Sequence, residues 1–542
     1  MPSPSDDPTS PGGGTVHEFS FSARHLSSSE VVADLLHEHG ANVLVHCALI
    51  RSRERITQET LRDALQRLAD FQPALWMKVD SDKPNPLRRR VTKRFTEMPD
   101  DDRVVDVTVV PANEATPWQE VAQTELRKTF ASDRGPLWKV VYVEKAECGP
   151  DEGVDAAGKT GTEKTRQKRK SSSPCHEGVL LFKIHHVIAD GVSMLDMLQR
   201  QLVPMLNSSL RRDSDNAVPQ FFASLPMAPP ADESFIKKNQ LSWTKRRSLR
   251  SASMRASSPQ SADGKAATEA PSSEPLLRIE DATKRTAESE TRLLTLSFGA
   301  AVGRRFVERC GSSGVDFEEA MLTAAATSLA VTAAFCHVDL HSDVIVCGRP
   351  VDLRRYHTLH AHYEPLGHWI ACDMVRVSAP RRPPNDHRFW TDARAVATSI
   401  GSHERPWKSL CLYGEVAKAL SCSTDVIRHK MFRVHLEVVS LTADSGRTTT
   451  DGPVTMDGHY FVKSMSDVTP ATMALTSTLL RGRIMCTIAY NSRWVSREFA
   501  AKFTETLRWL IPHVTDPVAA RMTELVKLPA YVRACLIRST NV

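Results

Sequence analysis

The residues best placed to do chemistry lie in Leu181-Phe-Lys-Ile-His185-His186-Val-Ile-Ala-Asp190-Gly191-Val-Ser-Met194. An apolar run ends in two histidines, and an Asp-Gly pair then opens a helical pattern. Polar residues at the end of a rigid strand can be presented to a cleft. A neutral imidazole is the side chain best suited to take a proton near neutral pH, so the pair reads as a candidate general base. The plain alternative is that both histidines merely close a strand. Asp190 fits a helix cap or a loop-fixing ion pair equally well, and Gly191 permits a tight turn and close packing. A second histidine-dense stretch, His357, His360, His362 and His368, carries side chains that zinc or copper would take. It passes through Pro365 and Gly367 without H-E-x-x-H or helical spacing, so no metal site is assigned. The basic run from Lys164 to Lys170 reads as a solvated charge run rather than an import tag, and Lys245-Arg-Arg-Ser248 and Arg255-Ala-Ser257 resemble kinase sites of a kind that chance supplies often.

The elements around these residues follow from hydrophobic period. Alternation over Asn42–Ile50 predicts a strand, and Leu61, Leu65, Leu68 and Phe71 predict an amphipathic helix between Thr57 and Leu75. Strands are expected at Trp76–Val79, Val104–Val110, Leu137–Val143 and Val179–Ile184, the last two as a hairpin, with helices at Trp118–Phe130 and Ser193–Met205. Beyond residue 290, strands are expected at Arg292–Ser297, Val344–Cys347, Trp369–Cys372, Phe432–Val439, Thr472–Leu480 and Arg483–Tyr490. Helices are expected at Ala301–Cys310, Phe317–Phe335 and Ser496–Leu510. Two mixed α/β halves of similar order imply a pseudo-duplicated molecule with its site between them.

Composition sets the limits. With 542 residues, 41% hydrophobic and 25% charged, the chain is ordinary globular material, and a net charge of +6 argues against a nucleic-acid coat. Eleven cysteines without a C-x-x-C pair suggest reduced thiols and a cytoplasmic setting. No signal peptide precedes residue 16, and the uncharged run Ala320–Cys336, interrupted by threonines, reads as a buried helix rather than a membrane span. The expected organisation is a disordered N-terminus (1–16), an N-terminal half (17–206) with a mobile insertion (148–178), a flexible linker (207–290), a C-terminal half (291–514) and a tail (515–542).

The pattern H-H-x-x-x-D-G between strand and helix resembles the signature of the chloramphenicol acetyltransferase-like superfamily of CoA-dependent acyltransferases. Its nearest branches would be the alcohol acetyltransferases, condensation domains and wax-ester synthases. Further segments extend the resemblance: Ser22–Glu30, Gln72-Pro-Ala-Leu75, Gly314–Glu319, Pro350-Val-Asp-Leu-Arg354-Arg355 and Glu364-Pro-Leu-Gly367. The D-F-G-W motif of the plant-type and some condensation branches has no counterpart; Leu436–Gly446 occupies its approximate place.

The resemblance implies an α/β fold of two acetyltransferase-like halves with a tunnel between them. It also implies transfer of an acyl group from acyl-CoA to a hydroxyl or amine of a small acceptor, with His186 as general base. His185 would pack behind the site. Asp190 would pair with an arginine of the second half, Arg354 or Arg349, and Gly191 would shape the loop. Acyl-CoA would be a co-substrate, with no tightly bound cofactor and no metal. A monomer is expected, with no nucleic-acid partner and no transmembrane segment but with room for peripheral membrane contact. The alternatives are condensation-type transfer from a carrier-protein thioester and a catalytically retired binding module. Catalysis by a histidine of ordinary pKa would make turnover rise through the imidazole range.

Overall fold

A computed structural model describes residues 24–81, 93–111, 117–145, 175–211, 289–338, 340, 344–354, 366–378, 386–403, 433–443 and 452–516. The expected N-terminal disorder, nearly all of the insertion and linker, almost all of the tail, the kinase-like sites, the basic run, Arg355, and His357, His360 and His362 lie outside these residues.

In chain order the first half contains β1 (Arg24–His25), α1 (Ser28–Glu38), β2 (Val43–Ser52), α2 (Gln58–Phe71), β3 (Met77–Ser81), β4 (Lys93–Glu97) and β5 (Val107–Pro111). It continues with α3 (Trp118–Leu126), β6 (Trp138–Glu144), β7 (His176–His185), α4 (Gly191–Met197) and α5 (Val203–Arg211). The second half contains β8 (Thr291–Phe298), α6 (Ala300–Ser313), α7 (Phe317–Phe335), β9 (Val344–Asp352), β10 (Ile370–Ser378) and α8 (Asp386–His403). After these come β11 (Leu436–Thr442), β12 (Val454–Lys463), β13 (Met473–Leu480), β14 (Arg483–Asn491) and α9 (Arg497–Thr515).

Each half is built on a mixed sheet, in the orders β12-β2-β7-β6-β5 and β10-β9-β11-β13-β14-β8, beside a small sheet β1-β4-β3. The expected hairpin partners β6 and β7 are antiparallel neighbours. β7 lies between β2 and β6, so its run Val179–Ile184 is buried on both faces, which is why it reads as a continuous apolar stretch. On one face, α2 packs Leu61, Leu65 and Leu68 into the same core as Leu180, Phe182 and Ile184. The helix ends at Phe71 rather than Leu75 because Pro73 opens a short 3-10 turn, Pro73–Trp76.

The pattern-based reading contains neither β4 nor α8, and three further features depart from it. No helix is expected ahead of β2, although Ser27 and Glu30 form the reciprocal capping box of α1. The helix begun by α4 passes through a π-helical turn at Leu198–Leu202 and ends at Arg211, so the start of the expected linker is helical. Pro204, which lacks an N–H and crowds the carbonyl four residues back, accounts for the widened turn. Most consequentially, β12 of the second half pairs antiparallel with β2 across Lys463↔Leu44 to Val454↔Ser52, completing the sheet of the first half. A bulge between Met456 and Gly458 breaks its alternation. The halves therefore interlock and are not separable along the chain.

α7 is apolar on nearly all sides, starts at the Asp316/Glu319 capping box, and is buried in the core of the second lobe with α9. No helix among the described residues is long and apolar enough to cross a membrane. Cys47, Cys310, Cys336, Cys347 and Cys486 are not in disulfides.

The turn between β13 and β14 packs directly on α6: a Cβ at Gly303 would lie 2.0 Å from the Gly482 carbonyl oxygen. Gly303→Ala is expected to destabilise the fold by roughly 1–3 kcal/mol. Gly311→Ala, on the same helix with nothing within 4 Å of its Cβ, should be neutral or stabilising by up to about 1 kcal/mol. Paired denaturant titrations check this, and equal effects would contradict the packing.

Candidate active site

β7 delivers His185 and His186 at the point where a five-residue turn leads into α4. Asp190 is the N-cap of that helix: its Oδ1 accepts from the Ser193 N–H at 2.9 Å, while Ser193 Oγ accepts from the Asp190 N–H at 3.1 Å. The same carboxylate accepts from Arg354 Nη2, which lies 3.1 Å from each oxygen, and from the Trp369 N–H at 2.9 Å. Asp190 is thus cap and ion-pair partner at once. It is fully buried, which would raise its pKa; the Arg354 guanidinium and the N–H groups of Ser193 and Trp369 outweigh this and hold it below its ordinary value.

Of the two arginines considered for Asp190, Arg354 is the partner. Arg349 lies further back on β9, where its Nη1 donates to Glu318 at 2.8 Å and its Nη2 lies 4.0 Å from Asp373. Gly191 is not a left-handed turn residue, since its φ is not positive. It is needed for close approach: a Cβ there would meet Leu441 at 3.2 Å and Phe461 at 3.6 Å, side chains of β11 and β12.

His186 Nδ1 donates to the Ala189 carbonyl at 2.8 Å, inside its own turn. A neutral imidazole has one N–H, so Nε2 carries the lone pair. Burial pushes its pKa down to about 3, with His368 and Lys463 adding to the fall and the Ala189 carbonyl and Asp190 opposing it. The expected titration in the ordinary imidazole range is therefore corrected: His186 is neutral there. His368, taken from sequence as part of a metal-like patch, sits here instead. Its Nδ1 donates to the His186 carbonyl at 3.1 Å, and its ring meets that of His186 edge-on with centroids 4.6 Å apart.

His185 points the other way. Its Nδ1 accepts from the Val187 N–H at 3.1 Å, and Nε2 lies 3.3 Å from Ser132 Oγ and 3.2 Å from Asp34. It packs with centroids 3.8 Å from His37, whose pKa burial and His185 push down to about 2. Asp34 is held far below the carboxylate range: His185 and Lys93 overcome a burial effect that alone would raise it. Beneath the turn, His46 on β2 and His459 on β12 are hydrogen-bonded at 3.0 Å, and His459 reaches Thr478 on β13 at 3.1 Å. Lys463 and Glu437 form a further ion pair between β12 and β11. Sequence reasoning passed over Asp34, His46, His459 and Lys463; only Ser27-x-x-Glu30 advertised the helix that carries Asp34.

By sequence, the chain matches no family model and no curated protein. By structure it is similar to a trichothecene 15-O-acetyltransferase from Fusarium sporotrichioides (14% identity, 91% of this chain and 95% of that one, TM-score 0.63). It is also similar to the first condensation domain of the calcium-dependent antibiotic synthetase (13%, 92% and 97%, 0.56). A third likeness is to the epimerization domain of the third module of tyrocidine synthetase B (11%, 93% and 99%, 0.56). The fold is the two-lobed α/β fold of condensation domains and this acetyltransferase.

Two outcomes follow from the geometry. His37, His46, His186, His368 and His459 all have lowered pKa values in the fold, so the unfolded chain binds more protons below its ordinary histidine pKa of 6.5. Melting temperature should be level between about pH 6.5 and 7.5 and fall as pH drops toward 3. Calorimetry across that range checks it, and a melting temperature that rises on acidification contradicts it. Asp190→Asn keeps size but removes the charge facing Arg354, and should cost about 3–5 kcal/mol of stability. An unchanged denaturation midpoint would contradict the role of the pair.

Proposed function

We propose that the chain is an acyltransferase that moves an acyl group from acyl-CoA to a hydroxyl or amine of a small acceptor, with His186 as general base. The observation that carries this reading is the His186 Nδ1–H bond to the Ala189 carbonyl, which leaves the Nε2 lone pair for a substrate proton. As the acceptor oxygen or nitrogen attacks the thioester carbonyl, the new C–O or C–N bond forms and its proton passes to Nε2. The tetrahedral adduct then collapses, the C–S bond breaks, and the thiolate takes the proton back from His186, so no covalent enzyme intermediate is needed.

A base with a resting pKa of about 3 is weak alone. Its basicity grows as negative charge develops on the adjacent adduct, because opposite charges attract strongly where water is excluded. The Ala189 carbonyl stabilises the imidazolium during that interval. Asp190 does not touch the reacting atoms in this scheme; it holds the turn. The fold likeness to an acetyltransferase and to condensation domains supports acyl transfer as the class; a carrier-protein thioester is the alternative donor.

The test is single-turnover transfer with acetyl-CoA and acetyl-phosphopantetheine as alternative donors and pooled alcohols and amines as acceptors. His186→Ala should lower the rate by about 10²–10⁴, and His185→Ala should affect stability more than rate. Between pH 5 and 8 the wild-type rate should show no limb belonging to His186. Full activity in His186→Ala, or a limb near 6.5 that vanishes in that variant, would contradict the mechanism. Binding without transfer would favour a retired module.

A further inference from the structure

Two imidazoles lie together at the end of β7. His368 spends its Nδ1 hydrogen on the His186 carbonyl at 3.1 Å, as His186 spends its own on the Ala189 carbonyl at 2.8 Å. Both rings are therefore fixed in the same neutral tautomer, each with a lone pair on Nε2. Burial disfavours the charged form of His368; Glu30 and Asp190 act in the opposite sense, and Arg354 adds to the fall.

Neither Nε2 has a hydrogen-bond partner among the described residues, and neither residue is fully sealed. His186 and His368 keep 9% and 8% of their surface, whereas His185, Asp190 and His46 keep none. His46 marks the contrast, since its Nε2 is unpartnered and out of reach. With ring centroids 4.6 Å apart, the two Nε2 atoms lie within the span of one small molecule. Two donors of this region already have acceptors: the Trp369 N–H donates to Asp190 and the Lys463 ammonium to Glu437.

One hydroxyl can satisfy only one of the two acceptors and leaves the other facing apolar substrate, with its hydration lost. Resting on the transferase reading, we propose that His368 is a specificity-determining residue that accepts a second hydrogen bond from the acceptor. The preferred acceptor then offers two hydrogens at adjacent positions, as a vicinal diol does across two oxygens or a primary amine does on one nitrogen. His186 removes the hydrogen of the attacking atom, and His368 holds the other without taking it. A positively charged side chain at this place would reverse the preference toward acceptors carrying lone pairs only.

The experiment compares trans-cyclohexane-1,2-diol with its monomethyl ether, and cyclohexylamine with N-methylcyclohexylamine, using acetyl-CoA and reading kcat/KM. The wild type should favour the two-hydrogen member of at least one pair by about tenfold, and which pair responds identifies the acceptor class. In His368→Phe that ratio should fall toward one, and His368→Gln, which keeps an acceptor oxygen, should restore part of it. Should the Phe variant fail to fold, His368→Met replaces it. No preference in the wild type, or the same preference in the Phe or Met variant, overturns the proposal. If no alcohol or amine is acylated, the transferase reading fails separately, and melting shifts with the same probes decide the binding claim. Greater stabilisation by a two-hydrogen probe, lost in the variant, sustains it, and equal shifts overturn it.

Discussion

A carboxylate without water must have its charge answered, and Asp190 is such a group. It is fully buried and takes hydrogens from a guanidinium of the second lobe, a backbone N–H of the second lobe and a backbone N–H of its own helix. Those donors come from three stretches of chain, so satisfying one charge fixes three things at once: the start of α4, the approach of the Asp352–Arg354 strand end, and the path of Trp369. Removing a partner would leave a buried charge exposed to apolar surroundings, which is why the arrangement is discrete rather than adjustable. The His186 turn lies inside this frame, and the Ala189 carbonyl that sets its tautomer is the residue before Asp190.

The second constraint is neutrality. The interior around the turn holds His37, His46, His186, His368 and His459, yet the charges near them are paired: Asp190 with Arg354, Lys463 with Glu437, Lys93 with Asp34. Imidazoles in such surroundings stay uncharged and act through lone pairs and N–H groups, so hydrogen-bond direction matters more than titration. The interlocking strand β12 is what brings Lys463 and His459 to this place, and its pairing with β2 ties the two lobes by backbone as well as by side chains.

Much of this was legible in sequence where the cause is local. The apolar run of β7, the two histidines at its end and the Asp-Gly helix start are adjacent in the chain, and most strands and helices follow from short-range period. The resemblance to an acyltransferase signature narrowed the partner of Asp190 to two arginines, but choosing Arg354 over Arg349 depends on which strand residue points toward the turn across 164 positions. β12 was missed because its bulge breaks alternation and its partner strand lies more than 400 residues away. His368 was grouped with histidines near it in sequence, whereas its neighbour in space is His186. The ordinary pKa expected for His186 failed for the same reason: burial is a property of the assembled lobes and is not written in the motif.

The central claim is that the Asp190-pinned turn holds His186 as a neutral imidazole with its proton on Nδ1 and its lone pair on Nε2. Nitrogen NMR of histidine-labelled protein, with the His186 signals identified by their loss in His186→Ala, reads both features directly. The account predicts an Nε2 signal of the unprotonated type and an Nδ1 signal of the protonated type, unchanged from pH 8 to pH 5. A titration centred near 6.5, or a proton resident on Nε2 at neutral pH, would contradict it.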